Sequence, residues 1–238
     1  MEKKSFLRFL GKKEKDFLFL EGEELHHSKV RRVKLGELIE VNTLDGNIYI
    51  GKVIDINKKY LKAELIEKLE VYEKNTQLDL YLIVPNKLSK IDDLIEPLSE
   101  LGVDRLNLVI GKFTAVKEKD ILKKMDKWRK KALNSLKQCK RLYPLEISGI
   151  SKLSDIEANS SFNILFYEKE KEKSLKDFIG KTFKSISIVI GNEAGFDKEE
   201  VNTLKEKGFI TLSLAKNILR METALITAVS QSLLFLED

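Results

Sequence analysis

Cysteine is almost absent from this chain. Among 238 residues there is one, Cys139, which excludes an internal disulfide and any thiolate-based zinc cluster. Histidine is nearly as scarce. His26 and His27 are adjacent, so a His-rich metal site or a Ser-His-Asp triad could draw only on that pair, and nothing beside it reads as a nucleophile elbow. No metal site is expected. With 3 Pro, 12 Gly and 42% apolar residues, the chain is neither low-complexity nor collagen-like and is long enough for a full core. No apolar run approaches the ~18–20 residues of a membrane span. The N-terminal MEKKSFLRFLGKKEKD has too short an apolar stretch for a secretory signal. These absences point to a reducing, cytoplasmic setting.

The net charge is a modest +5, but it is unevenly placed. Between Lys112 and Arg141 there are 12 Lys/Arg and 3 Asp/Glu, a local charge of +9, while the remainder of the chain sums to −4. A concentrated basic segment in a neutral background suits a polyanion partner; a solvated helix face is the plain alternative.

The pattern changes near residue 72. Before it, apolar Phe17–Leu20 reads as a strand, Leu38–Thr43 and Ile48–Ile54 flank a Leu-Asp-Gly hairpin signal at 44–46, and Tyr60–Val71 alternates as a further strand. Glu23–Lys34 reads as a helix closed by Gly36. A small β-rich, barrel-like domain over residues 1–72 follows, with the polar Val71–Gln77 as linker. After it, strands at Leu78–Val84, Leu106–Ile110, Asn163–Tyr167, Ser185–Ile190 and Phe209–Leu214 alternate with helices at Leu88–Leu101, Ile121–Lys140, Asp197–Lys207 and Met221–Leu236. That alternation predicts an α/β domain with a parallel sheet over residues 73–238. Pro97 predicts a kink or break in its helix.

The last helix stands apart. No residue from Thr223 to Leu236 is charged, in a chain that is 34% charged. A surface helix carries a polar stripe, so this one is expected to be buried nearly all round. Its own sheet covers one side; a second copy of the chain is the simplest cover for the other.

Three segments carry chemistry. Ile190–Phe196 (IGNEAGF) joins a strand to a helix, and its two glycines permit a tight turn with amides open to a ligand. Such loops lie at the carboxyl ends of strands, where open α/β sheets bind ligands. Leu212–Ala224 (LSLAKNILRMETA) also follows a strand; Leu212, Leu214, Ile218 and Leu219 can line an apolar pocket. Arg220 and Glu222 are the only charges at the mouth of the uncharged helix; the helix dipole favours Glu222 there but not Arg220. Lys127–Pro144 mixes cations with Trp128, which suits phosphate contact and stacking or, more simply, a core anchor.

Together these segments resemble one family. Residues 191–196 (GNEAGF) followed by 218–224 (ILRMETA) resemble the GPEGGF and ILRxETA signature of the bacterial 16S ribosomal RNA uridine-N3 methyltransferases, which belong to the SPOUT superfamily of knotted methyltransferases. Residues 27–36 (HSKVRRVKLG) are similar to the family's HxxxVLRxxxG, and 99–103 (SELGV) to its TELGV. Trp128, Ala132, Gln138, Cys139, Arg141 and Pro144 match a further spaced element. Departures are Arg31 for a usual Leu, Pro97 for Lys, Asn192 for Pro, Ala194 and Ala215 for Gly, and Asn217 for Arg.

The resemblance implies an N-terminal barrel of the PUA type that grips RNA and a C-terminal domain tied in a trefoil knot. It implies a homodimer with active sites at its interface, acting on 16S ribosomal RNA or the small ribosomal subunit. S-adenosyl-L-methionine is expected on Ile190, Gly191, Asn192, Glu193, Gly195, Leu212, Leu214, Ala215, Ile218, Leu219 and Thr223. Arg220 is the expected stabiliser of negative charge on uridine, and Glu222 either orients Arg220 or accepts the N3 proton. Arg31, Arg32, Lys130, Lys131 and Arg141 are the expected RNA contacts. Two other readings share this scaffold: a non-catalytic ribosomal RNA-binding or assembly protein, and a SPOUT methyltransferase acting on transfer RNA.

Overall fold

The structure, a computed structural model, describes residues 6–71 and 74–237. The first five residues, weighed above as part of a signal, and the expected boundary at residues 72–73 lie outside the described residues. Two compact units are present: residues 1–73 with 136–143, and residues 74–135 with 144–238. The sequence reading placed the whole basic helix in the second part; its last residues instead group with the first unit.

The first unit holds strands β1 (Arg8–Leu10), β2 (Lys12–Glu14) and β3 (Phe17–Glu21), helix α1 (Gly22–Val30), and strands β4 (Leu38–Asn42), β5 (Ile48–Ile56) and β6 (Tyr60–Lys68). They form one six-stranded sheet in the order β1-β4-β5-β6-β3-β2, antiparallel except for the β1–β4 pair. Its two edge strands, β1 and β2, are consecutive in sequence and separated only by Gly11. The sheet must therefore curl until its edges meet at that residue. Gly11 fits there because a Cβ would come within 2.7 Å of both the Phe19 carbonyl oxygen and Val41 Cγ1. Alternation along β3 turns Leu18 and Leu20 into the core, where they pack with Val41, Val53, Leu61 and Ala63. The β1 and β2 strands escaped the sequence reading because they are short and β2 (Lys-Lys-Glu) is wholly exposed.

Helix α1 ends four residues earlier than predicted. Arg32 takes φ 56°, and the Val33 amide donates to the Ser28 carbonyl at 3.0 Å. This left-handed stop turns Val33 into the core, which continuing the helix to Gly36 would not do.

The second unit comprises β7 (Gln77–Ile83), α2 (Ser89–Glu100), β8 (Arg105–Ile110), α3 (Glu118–Cys139), β9 (Glu146–Lys152), β10 (Phe162–Phe166), β11 (Ser185–Ile190), α4 (Lys198–Glu206), β12 (Ile210–Leu212) and α5 (Met221–Leu233), the last four residues of α3 belonging to the first unit. All six strands pair in parallel, in the order β12-β10-β11-β7-β8-β9. Side chains alternate between two cores. Ile186, Ile188 and Ile190 face the core shared with α2, α3 and α5, while Val189 faces the one with Val201 and Leu204 of α4. Edge strand β9 was not predicted; Gly149 and its exposed polar residues weaken the apolar run. Helix α2 runs unbroken through Pro97, correcting the predicted break. The proline sits in the last turn, so it removes only the bond to Asp93, an exposed position.

Trp128 is the anchor of α3. It is completely buried, and its indole Nε1 donates to Asp92 Oδ1 at 2.6 Å. In helix α5 of the single chain Met221, Leu225, Ala228, Val229 and Ser232 are buried while Thr223 and Ser230 are exposed.

Candidate active site

Parallel pairing puts the carboxyl ends of β7, β10, β11 and β12 along one edge of the sheet. Each strand opens there into a loop, and the loops after β10, β11 and β12 meet. A cavity of about 120 Å³ is lined by Phe166, Ile190, Gly191, Asn192, Leu214 and Ile218, with Glu168, Ala215, Lys216, Asn217 and Leu219 at its walls. A second cleft of about 480 Å³ shares Glu168, Asn192, Ile218 and Leu219 with it and adds Lys90, Glu193, Ala194, Gly195 and Arg220.

The loop after β11 is built by its own polar groups. The buried Asn192 donates from Nδ2 to the Val84 carbonyl at 3.2 Å and accepts from the Ala194 amide at 2.9 Å. A proline at 192 would lack both bonds, so Asn192 replaces covalent stiffness with hydrogen bonding. Gly195 takes φ 70°, and a Cβ there would lie 2.9 Å from Glu168 Oε1. Ala194 and Ala215 are not at positive φ, so neither alanine is strained where the family usually has glycine.

Glu222 was expected to orient Arg220 or to accept the N3 proton. Its Oε1 pairs with Lys90 Nζ at 2.7 Å, and the same Nζ lies 3.1 Å from Glu193 Oε1. The backbone amide of Asn86 donates to the other oxygen of Glu193 at 3.4 Å. The Lys90 hydrogen bond, with the residue's own amide, holds the Glu222 carboxyl below its usual range. Burial pushes Glu193 upward, but its backbone amide and Lys90 outweigh that and bring it down. The ammonium of Lys90 is raised, chiefly by Glu222. Glu222 Oε2 is buried with no hydrogen-bond partner. Arg220 is the N-cap of α5 by its backbone; its side chain is exposed and, among the described residues, makes no hydrogen bond or ion pair.

Of the residues expected to hold a cofactor, Ile190, Gly191, Asn192, Leu214, Ala215, Ile218 and Leu219 line the first cavity, and Glu193 and Gly195 the second. Leu212 and Thr223 line neither. Leu212 is wholly buried in the sheet core, and Thr223 is exposed. The sequence reading missed Lys90, Glu168 and Phe166. Glu168 and Phe166 carry the one available signal, a position at the carboxyl end of a parallel strand. Lys90 carries none, because α2 reaches the site only through the order of the strands.

The basic segment is largely neutralised. Lys124 and Lys127 pair with Asp92, Lys131 with Glu96 and the Asp92 carbonyl, and Lys112 with Asp197 and Glu199. Within the first unit, Lys137 pairs with Glu24 and Lys140 with Glu40, and the Arg141 carbonyl accepts from Arg8 and Asn42. Lys131 is thus a helix-to-helix tie rather than an open cation. Arg31, Arg32 and Lys130 are exposed, and Arg141 is half-buried.

The lining fits a molecule with an apolar body and polar ends: aliphatic and aromatic walls, two glycine approaches and a carboxylate at Glu168. Comparison with known proteins agrees. The RNA methyltransferase domain family matches residues 72–232, and the RNA methyltransferase PUA domain family matches residues 20–66. The chain belongs to the RNA methyltransferase family. Among related members, the ribosomal RNA small subunit methyltransferase E of Aquifex aeolicus is 35% identical over 218 residues, covering 90% of this chain and 93% of that protein. A methyltransferase from Legionella pneumophila, solved with bound SAM, superposes with a TM-score of 0.85 at 24% identity, covering 97% of this chain and 98% of that one. The small-subunit methyltransferase E of Neisseria gonorrhoeae, bound to S-adenosyl methionine, gives 0.84 at 21% identity, covering 96% and 97%. These two likenesses show the methyltransferase family fold: a curled PUA-type sheet and a parallel α/β unit.

Proposed function

We propose that this chain is an S-adenosylmethionine-dependent methyltransferase acting on N3 of a uridine in 16S ribosomal RNA. The observation that carries the reading is the meeting of the Gly191–Phe196 and Ser213–Leu219 loops around one cavity with both apolar and polar walls, with Arg220, unpaired among the described residues, at its adjoining cleft. Relatedness over nine-tenths of the chain to an enzyme named for the small-subunit RNA supports the substrate class.

The cofactor supplies an electrophilic methyl on a sulfonium. Phe166, Leu214 and Leu219 exclude water from it, and Gly191 and Gly195 let backbone approach it. Loss of the N3 proton to solvent water spreads negative charge to the uridine oxygens, and Arg220, which makes no hydrogen bond or ion pair among the described residues, meets that charge. Glu222 has its carboxyl depressed by Lys90 and is therefore a weak proton acceptor; its part is to hold the start of α5. Arg31, Arg32, Lys130 and Arg141 take phosphates, with residues 1–72 acting as the RNA-gripping domain. The half-buried outer side of α5, with the flanking Leu234 and Ile218 80% and 88% exposed, is covered by a second copy of the chain. The trefoil knot and a cytoplasmic setting belong to the same reading; among the described residues no helix is long and apolar enough to cross a membrane.

The test is calorimetric titration with S-adenosylmethionine, then methyl transfer to small-subunit RNA with a mass map of the modified nucleotides. Binding with an N3-methylated uridine is expected. Cofactor binding with the methyl on transfer RNA moves the substrate, and absence of cofactor binding leaves a non-catalytic RNA-binding protein.

A further inference from the structure

The side chain of Lys90 pairs with a residue of the loop after β11 and with one in the first turn of α5. Lys90 projects from the first turn of α2 and places its single ammonium between Glu193, in the loop after β11, and Glu222, at the start of α5. Its side chain is 25% exposed, and the two carboxylates are 33% and 36% exposed, so none of the three lies on open surface; Lys90 and Glu193 line the larger cleft. With both oxygens near 3 Å from one nitrogen, the carboxylates stand within about 6 Å of each other. Like charges at that separation repel unless a cation lies between them. No other cation is paired with either carboxylate among the described residues; Arg220 reaches Glu222 only through space. The second oxygen of Glu222 is buried and unpartnered, so beyond the residue's own amide Lys90 is the hydrogen-bond partner holding that carboxylate's direction among the described residues.

We propose that Lys90 is a positioning residue of the active site: it ties the β11 loop to the start of α5 and so fixes the spacing of the two walls between which cofactor and base must lie. This rests on the methyltransferase reading above. Without the ammonium, Glu193 and Glu222 separate. The backbone they carry moves with them, taking Gly195 on one side and Arg220 on the other. Arg105, Lys127 and the other paired cations of this unit cannot replace it, because each is committed to a different acid.

The experiment compares the full-length protein with Lys90→Met, which keeps the length and removes the charge, Lys90→Arg, which restores it, and Glu222→Gln. Lys90→Met should weaken S-adenosylmethionine binding and lower kcat/KM by about 10²-fold, as expected for a misaligned site. The acid limb of its rate profile and the carboxyl resonance of Glu222 should both titrate at higher pH. Lys90→Arg should recover most of the binding and return the Glu222 titration toward the parent. A merely structural lysine would lower Tm and move the Glu222 titration while leaving cofactor affinity as in the parent. If Lys90→Met binds the cofactor as the parent does, or if the Glu222 resonance titrates unchanged, the proposal is overturned. If the parent itself transfers no methyl, the functional reading fails separately, and cofactor affinity and the Glu222 resonance still decide the role of Lys90. If the parent binds no cofactor either, the backbone resonances of Gly195 and Arg220 decide it: displacement in Lys90→Met with recovery in Lys90→Arg supports the tie, and unchanged positions overturn it.

Discussion

Substitution at Gly195 tests the site at its tightest backbone. The residue sits at φ 70°, and a Cβ would meet Glu168 Oε1 at 2.9 Å. Two costs follow. Placing alanine in the left-handed region costs about 1–2 kcal/mol. The contact with Glu168 is cheap in energy, since the carboxylate ends an exposed side chain, but it displaces a group that lines both cavities. For a chain of this size each kcal/mol lowers Tm by about 2–4 °C, so Gly195→Ala should unfold about 2–8 °C earlier. If even 1.4 kcal/mol of the distortion falls on the bound state, S-adenosylmethionine affinity drops about tenfold. Gly195→Val, β-branched, should abolish measurable binding while far-UV circular dichroism stays native. Ala194→Gly is the control. Ala194 is not at positive φ, so restoring the family's usual glycine should change neither Tm nor affinity appreciably. Calorimetry and thermal unfolding on the three variants read both quantities. Unchanged affinity in Gly195→Val would remove this loop from the cofactor site.

Other expectations follow from the same contacts. Arg220→Ala should lower kcat by ~10²–10³-fold with Tm unchanged, since its side chain holds no internal bond, and Arg220→Lys should rescue poorly because a point charge lacks the planar fork; a destabilised but fully active variant would make the arginine structural. Asp92→Ala leaves the buried Trp128 indole N–H unpaired and should cost about 1–3 kcal/mol by denaturant unfolding; a smaller loss would mean the indole finds another acceptor. Arg31→Glu and Lys130→Glu should each flatten the log–log salt dependence of RNA binding by about 0.7–0.9, whereas Lys131→Glu should act on Tm instead. Glu222 and Asp92 titrate below their ordinary values in the folded chain, so their stabilisation is complete above the unfolded carboxylate range and is lost as pH falls through their folded values; Glu222→Gln should remove part of that acid sensitivity, and an unaltered acid-unfolding curve would contradict it.

The sequence by itself determined the α/β alternation, the strand at Ser185–Ile190 to the residue, the Trp128 anchor and the two loops that line the first cavity. All of these are local: apolar period, glycine placement and a short ordered motif depend on neighbours a few residues away. Tertiary structure decided the rest. Whether Lys131 is an RNA contact or a tie to Glu96 depends on how α2 packs on α3, and nothing in the basic run of α3 announces it. Glu222 looked like a partner for Arg220 because the two are close in sequence, yet strand order brings Lys90 from 132 residues away to claim it. Leu212 read as pocket lining and is core because the last strand ends one residue short of the cavity. The closing of the first sheet at Gly11 turned on a three-dimensional neighbour list of Phe19, Leu20 and Val41 that no spacing along the chain encodes. Pairing of charges and closure of sheets are long-range choices among many compatible partners. The sequence supplies the candidates, and only the packed chain selects among them.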